Sequence, residues 1–274
     1  MPDVEMTFLE HLEELRRRLL YCIYAIFPAV MIAFMFAEPL LELLTMHARA
    51  VPHGKSAAGL KIGFSPVIGP FILFDPREAT SILVGLSPTE LVMSYMKVAF
   101  VAAIFGVFPF VMYQLWRFVE PGLKENEKKF LVPFILSSWF TFILGGLFAY
   151  TVMLKIAVPF LASFGQDIAS NMWSVSSYVS FTLMMMLVFG VTFELPVLSA
   201  LLSMLGIVTP QLLSKYRRHA IVAVFIVAAI LTPPDPVTQT LLAVPLILLY
   251  ELSIVVSRFF QRPTETSLVK VSEL

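Results

Sequence analysis

Charged side chains make up only 14% of this 274-residue chain, so the places where they gather are informative. The first gathering joins Glu10, Glu13 and Glu14 to Arg16, Arg17 and Arg18. It lies on the polar side of a helical repeat formed by Phe8, Leu12, Leu15 and Leu19, which Thr7 and Glu10 would open as a Thr-x-x-Glu capping box. Two chemistries fit these residues. Glu13 can pair with Arg17, and Glu14 with Arg18, one helical turn apart, while the arginines set membrane topology. Alternatively, the carboxylates form a site for a cationic ligand. A second acidic group, Glu120, Glu125 and Glu127, comes after Phe118 around a Pro121-Gly122 turn. It reads either as acids favoured in the first turn of the next helix or as a second patch on the same membrane face as Glu14.

Two further acids stand inside apolar stretches. Glu194, in Phe193-Glu-Leu-Pro196, must face protein or water, because a carboxyl in lipid costs about 2.5 to 3.5 kcal/mol or more. Pro196 cannot donate to the carbonyl of Thr192, so a bend is expected beside it. The readings are a glutamate hydrogen-bonded between helices, or the polar floor of a cavity. Glu251 raises the same question. Between the last two apolar stretches, Leu231-Thr-Pro-Pro-Asp-Pro makes a tight turn, with Thr238 placed to cap the next helix. Thr232 and Gln239 suit either interfacial solvation or hydrogen bonding to another membrane helix.

Enzyme chemistry finds no foothold. There is no GxSxG, HExxH, CxxC or phosphate-cradling glycine loop, and His11, His47, His53 and His219 are scattered, so no catalytic residue, metal or cofactor is expected. Cys22 is the single cysteine, which excludes an internal disulfide. Met184 to Met186 read as packing or lipid-facing residues.

These side chains must be positioned by membrane helices. The chain is 58% hydrophobic with a mean hydropathy of +0.86, more apolar surface than one core could hide. Lys+Arg and Asp+Glu are 19 each, which leaves no net charge to attract nucleic acid. Six apolar stretches, about 19–37, 98–116, 130–154, 178–203, 220–231 and 241–256, predict an all-α integral membrane protein with six spans in a single domain over 1–274. The last two are short. The first exceeds a signal-peptide core and has no small-x-small site before Glu38, so it is expected to be retained. Thirteen Lys and Arg fall on the side of the termini and five on the other, which places both termini in the cytoplasm. The first outer loop, about 38–91, is long and apolar; its stretch 67–74 contains Gly69 and Pro70 and is expected to be an interfacial or packing segment.

Taken together, these segments resemble the TatC family, the multispanning core of the twin-arginine protein translocase. The residues that carry the likeness are His11-Leu-Glu-Glu-Leu-Arg-Arg-Arg-Leu19, Tyr113-Gln-Leu-Trp-Arg-Phe-Val-Glu-Pro-Gly-Leu123 with Glu127, Phe193-Glu-Leu-Pro196, and Leu231-Thr-Pro-Pro-Asp235 with Gln239 and Tyr250-Glu251. The resemblance implies a concave, glove-like bundle in the bacterial cytoplasmic (inner) membrane. It implies a receptor for signal peptides carrying paired arginines, which gathers single-span Tat partner subunits and self-associates in a larger complex. Folded cargo would then cross on the proton-motive force. By that resemblance Glu14, Arg16, Phe118, Glu120 and Glu127 meet the signal peptide, Glu194 is the intramembrane acid, with Glu251 a second intramembrane polar group, and Thr232 with Gln239 dock the partner. The alternative is a proton-coupled secondary transporter or channel using Glu194 and Glu251.

Overall fold

In lipid, a backbone with no water to bond to must satisfy itself, and an uninterrupted apolar stretch does so as a helix. The computed structural model describes residues 8–49, 62–65, 69–72, 83–119, 131–163, 173–231 and 236–261. Among them run α1 (Phe8–Met35), α2 (Ala37–Arg49), α3 (Pro88–Val119), α4 (Leu131–Phe148), a π turn (Ala149–Met153), α5 (Leu154–Ser163), α6 (Val175–Phe193), α7 (Leu195–Met204), α8 (Pro210–Lys215), α9 (Arg217–Leu231) and α10 (Pro236–Phe260). Five segments are long and apolar enough to cross a membrane: Leu12–Met35, Pro88–Phe118, Val132–Ala162, Val175–Met204 and Thr238–Phe260. The sixth expected span is α9, whose 15 residues reach only about 22 Å, below the roughly 30 Å of a hydrocarbon layer.

The final span departs from expectation. α10 has 25 residues, about 37 Å, so of the last two spans only α9 is short as a helix. The apolar stretch 241–256 marks the middle of a helix whose ends carry Thr238, Gln239, Ser257 and Arg258. For the same reason Thr238 is no cap: α10 already begins at Pro236, and Thr238 is buried in its first turn. The outer loop also holds more structure than expected. It opens with α2 and contains an antiparallel hairpin of β1 (Ile62–Ser65) and β2 (Gly69–Ile72), so part of 67–74 is a strand. Two residues, β3 (Leu83–Val84), pair in parallel with β4 (Trp173–Ser174) just ahead of α6.

Packing depends on small residues. Gly145 of α4 lies against the backbone of Phe189 and Gly190 in α6, and Gly190 makes room for the Phe142 ring. That ring stacks on Phe108 of α3 with centroids 3.8 Å apart. Tyr178, Phe189, Leu154, Leu242 and Leu246 complete a buried core shared by α5, α6 and α10. α1 leans along α3 and leaves Tyr24, Phe27, Met31 and Met35 uncovered, as suits a helix at the rim of a bundle in lipid.

The outer helix α2 is fastened by two phenols. Tyr150, aimed by the π turn, donates to the Leu43 carbonyl at 2.6 Å, and Tyr178 donates to the Leu44 carbonyl at 3.0 Å. Each bond contributes about 1 kcal/mol. Tyr150→Phe combined with Tyr178→Phe is therefore expected to speed amide exchange in α2 while leaving α6 protected. Equal exchange in wild type and double variant would remove this role. Nearby, the Glu90 carboxylate accepts from the amides of Leu86 and Ser176, both at 2.7 Å, which ties the first turns of α3 and α6 together.

Candidate functional site

The bundle end that carries the start of α1 and the ends of α3 and α10 gathers most of the charge. On α1, Arg18 Nη2 donates to Glu14 Oε1 at 2.9 Å, the pairing expected one turn apart. Arg18 Nη1 also donates to Gln114 Oε1 on α3 at 3.2 Å. One guanidinium thus joins the two helices. Glu10, Glu13, Glu14, Arg17 and Arg18 line a small cavity of about 220 Å³ beside this contact. Arg16 is exposed, and Phe118 is half-buried one turn beyond Gln114. Glu120 and Glu127 lie outside the described residues. The arrangement presents carboxylates in a geometry that already accepts a guanidinium.

Glu194 sits at the break between α6 and α7, where Pro196 removes the donor that would continue the helix. It is 4% exposed, and Thr141 of α4 donates to its Oε1 at 2.9 Å. No Lys or Arg pairs with it among the described residues. The adjacent concavity, about 400 Å³ between α4, α7 and α10, is lined by Phe134, Pro196, Val197, Leu201 and Val256 with Ser137 among mainly apolar side chains, and Glu194 is not in its wall. Its carboxyl lies buried between α4 and the break from α6 to α7.

Glu251 is held differently. Arg217, the first residue of α9, reaches it as a fork: Nε to Oε1 at 2.7 Å and Nη2 to Oε2 at 2.9 Å. Its side chain is 39% exposed, so it is a paired group near the charged end and is not buried like Glu194. Gln239 is half-buried and donates to the Phe225 carbonyl of α9 at 3.1 Å. Thr232 lies outside the described residues.

Three partners were not singled out from sequence. Gln114 and Thr141 have no local signal, because the groups they meet are distant in the chain. The third is a serine ladder: Ser199 donates to the Ser253 carbonyl at 2.9 Å, and the hydroxyls of Ser203 and Ser257 are 2.5 Å apart. Its signal was available, since both helices carry serines four residues apart, the spacing of one helical face.

Fold and site together define a polytopic helical membrane protein with polar groups packed between its helices. The sequence pattern of the family described as Sec-independent protein translocase protein (TatC) matches residues 10–245, and the chain belongs to that family. It is 38% identical over 248 residues to the Sec-independent protein translocase protein TatC of Helicobacter pylori strain 26695, covering 90% of this chain and 86% of the relative. With the Aquifex aeolicus protein of the same description it shares 35% identity over 259 residues, 94% of this chain and 97% of that one. A crystal structure of the twin-arginine translocase receptor TatC superposes with a TM-score of 0.74 at 35% identity, covering 92% of this chain and all of the other. The chain is thus a membrane-spanning translocase component and not an enzyme.

Proposed function

We propose that the protein is the receptor and core component of the twin-arginine translocase, set in the bacterial cytoplasmic membrane with both termini in the cytoplasm. It binds signal peptides bearing two adjacent arginines, gathers single-span Tat subunits, associates with further copies of itself, and exports folded cargo at the expense of the proton-motive force. The observation that carries this reading is the Glu14–Arg18–Gln114 contact. Arg18 occupies the place that a ligand guanidinium would take, bonded to a carboxylate on α1 and an amide on α3. Phe118 lies one turn beyond Gln114 on α3, Arg16 is exposed on a different face of α1, and Glu120 and Glu127 come next in the chain after α3. A carboxylate can grip a guanidinium through two parallel bonds, which an ammonium cannot copy, so the site would require arginine.

α9 supports the recruiting role. Val222, Ile226 and Ile230 form an exposed ridge on a helix too short for the bilayer, and Gln239 stands behind it. A partner's transmembrane helix would cover the ridge and offer hydrogen bonds to Thr232 and Gln239. The transporter alternative needs Glu194 and Glu251 on one aqueous route; one is packed away and the other is forked to Arg217.

A twin-arginine peptide carrying a photoreactive group beside the arginines should crosslink purified protein at the first half of α1 and the end of α3, and cysteines at 232 and 239 should crosslink a partner's helix. Peptide crosslinks confined to α9 and α10 would end the receptor reading.

A further inference from the structure

We propose that the basic cavity between α8 and the end of α10 holds the phosphate headgroup of an anionic phospholipid. The cavity measures about 560 Å³ and is lined by Pro210, Gln211, Ser214, Lys215, Arg258 and Gln261. Its wall has two cations, two carboxamides and a hydroxyl, and no acid. Neither Lys215 nor Arg258 has an acidic partner among the described residues. Glu251, the nearby acid on α10, is taken up by the Arg217 fork. Two exposed cations facing one concavity repel each other unless an anion lies between them. A phosphate suits this set: a guanidinium binds two of its oxygens, the ammonium supplies a point charge, and the amides donate to what remains.

The setting selects a lipid over a soluble anion. Arg258 stands beside Phe259, which is 82% exposed, and Phe259 ends an uncovered stripe of α10 formed with Val255, Leu252 and Leu248. These residues recur at helical spacing and share one face. A headgroup seated at Lys215 and Arg258 would therefore lay its acyl chains along that stripe, cations at the phosphate level and aromatic and aliphatic groups below. A free phosphate has no use for such a face. The frame is well braced. Tyr250 of α10 donates to the Leu213 carbonyl of α8 at 2.8 Å, and the Ser203–Ser257 contact ties α7 to α10 just behind. The site is separate from the α1 and α3 cluster and does not depend on its reading. A lipid bound there would hold α8, and through it the start of α9, at the membrane surface.

Native mass spectrometry of the full-length protein, released from vesicles of mixed phosphatidylglycerol and phosphatidylcholine, tests this. Wild type should retain phosphatidylglycerol preferentially, and Lys215→Gln combined with Arg258→Gln should lower that preference roughly tenfold or more. Arg218→Gln, which removes an exposed cation outside the cavity, should leave it within about twofold of wild type. Both target positions are exposed, and unchanged helical content by circular dichroism confirms that each variant is folded; the single variants serve if the double variant is not. Equal retention of the two lipids by wild type would overturn the proposal, as would an equal loss in Arg218→Gln. Complete displacement of the lipid by millimolar inorganic phosphate would assign the cavity to a free anion and overturn it too.

Discussion

Glu14→Gln should weaken binding of a twin-arginine peptide by roughly ten- to a hundredfold, the effect of losing a charge-assisted, two-point hydrogen bond worth about 1.5 to 3 kcal/mol. Glutamine keeps the shape and one acceptor, so the change isolates the charge. The protein should still insert and fold, because the Glu14–Arg18 pair is partly solvated, with side chains 20% and 22% exposed, and pairs of that kind contribute only about 0 to 1 kcal/mol to stability. Glu127→Gln is expected to have a comparable effect if the second acidic group closes on the same arginine pair. Isothermal titration with the purified protein and a signal peptide measures both. A twin-lysine peptide binding wild type as tightly as the twin-arginine peptide would sink the argument from guanidinium geometry, whatever the variants do.

The second large effect is structural. A Cβ added at Gly145 would come within 2.5 Å of the Phe189 carbonyl oxygen and 2.9 Å of the Gly190 Cα, both backbone atoms that cannot swing aside. Ordinary carbon contacts need about 3.5 Å or more, so α4 and α6 would have to part by roughly 1 Å. That separation would loosen Phe142 from its seat at Gly190 and its stack on Phe108. In a bilayer, no hydrophobic drive compensates for lost van der Waals packing between helices. Gly145→Ala should therefore destabilise the protein by about 1 to 3 kcal/mol or more, read as a lower melting temperature in detergent. Gly106→Ala is the matched control: nothing lies within 4 Å of its added Cβ, and alanine favours a helix, so stability should hold or rise slightly. Equal melting of the two variants would mean that the close approach of α4 and α6 is not what holds them.

Much of the fold was legible because a bilayer is a simple solvent. Apolar runs become helices, and Pro196 does break a helix beside Glu194 as its missing donor requires. Boundaries were less legible, because helices such as α3 and α10 run past their apolar middles into polar turns that hydropathy does not distinguish from loops. α2 was missed inside the outer loop, although Leu41, Leu44 and Ala48 are buried at helical spacing. Its apolar stripe is too narrow to register as a span.

For the charged residues, the sequence by itself determined their kind and local spacing: the Glu14–Arg18 pair, the acids near the end of α3, and the isolation of Glu194 and Glu251 in apolar surroundings. Tertiary structure decided the partners beyond one helical turn. That Glu194 meets a hydroxyl depends on Thr141, 53 residues away in the chain, and on the close approach of α4 to α6 at Gly145. Glu251 is a comparable intrahelical acid, yet Arg217 at the start of α9 reaches it and leaves it half-exposed. Local sequence sets which groups a helix carries on each face; the rotation and depth at which helices meet set whether a carboxylate finds a hydroxyl, a guanidinium or water, and those are properties of the packed bundle.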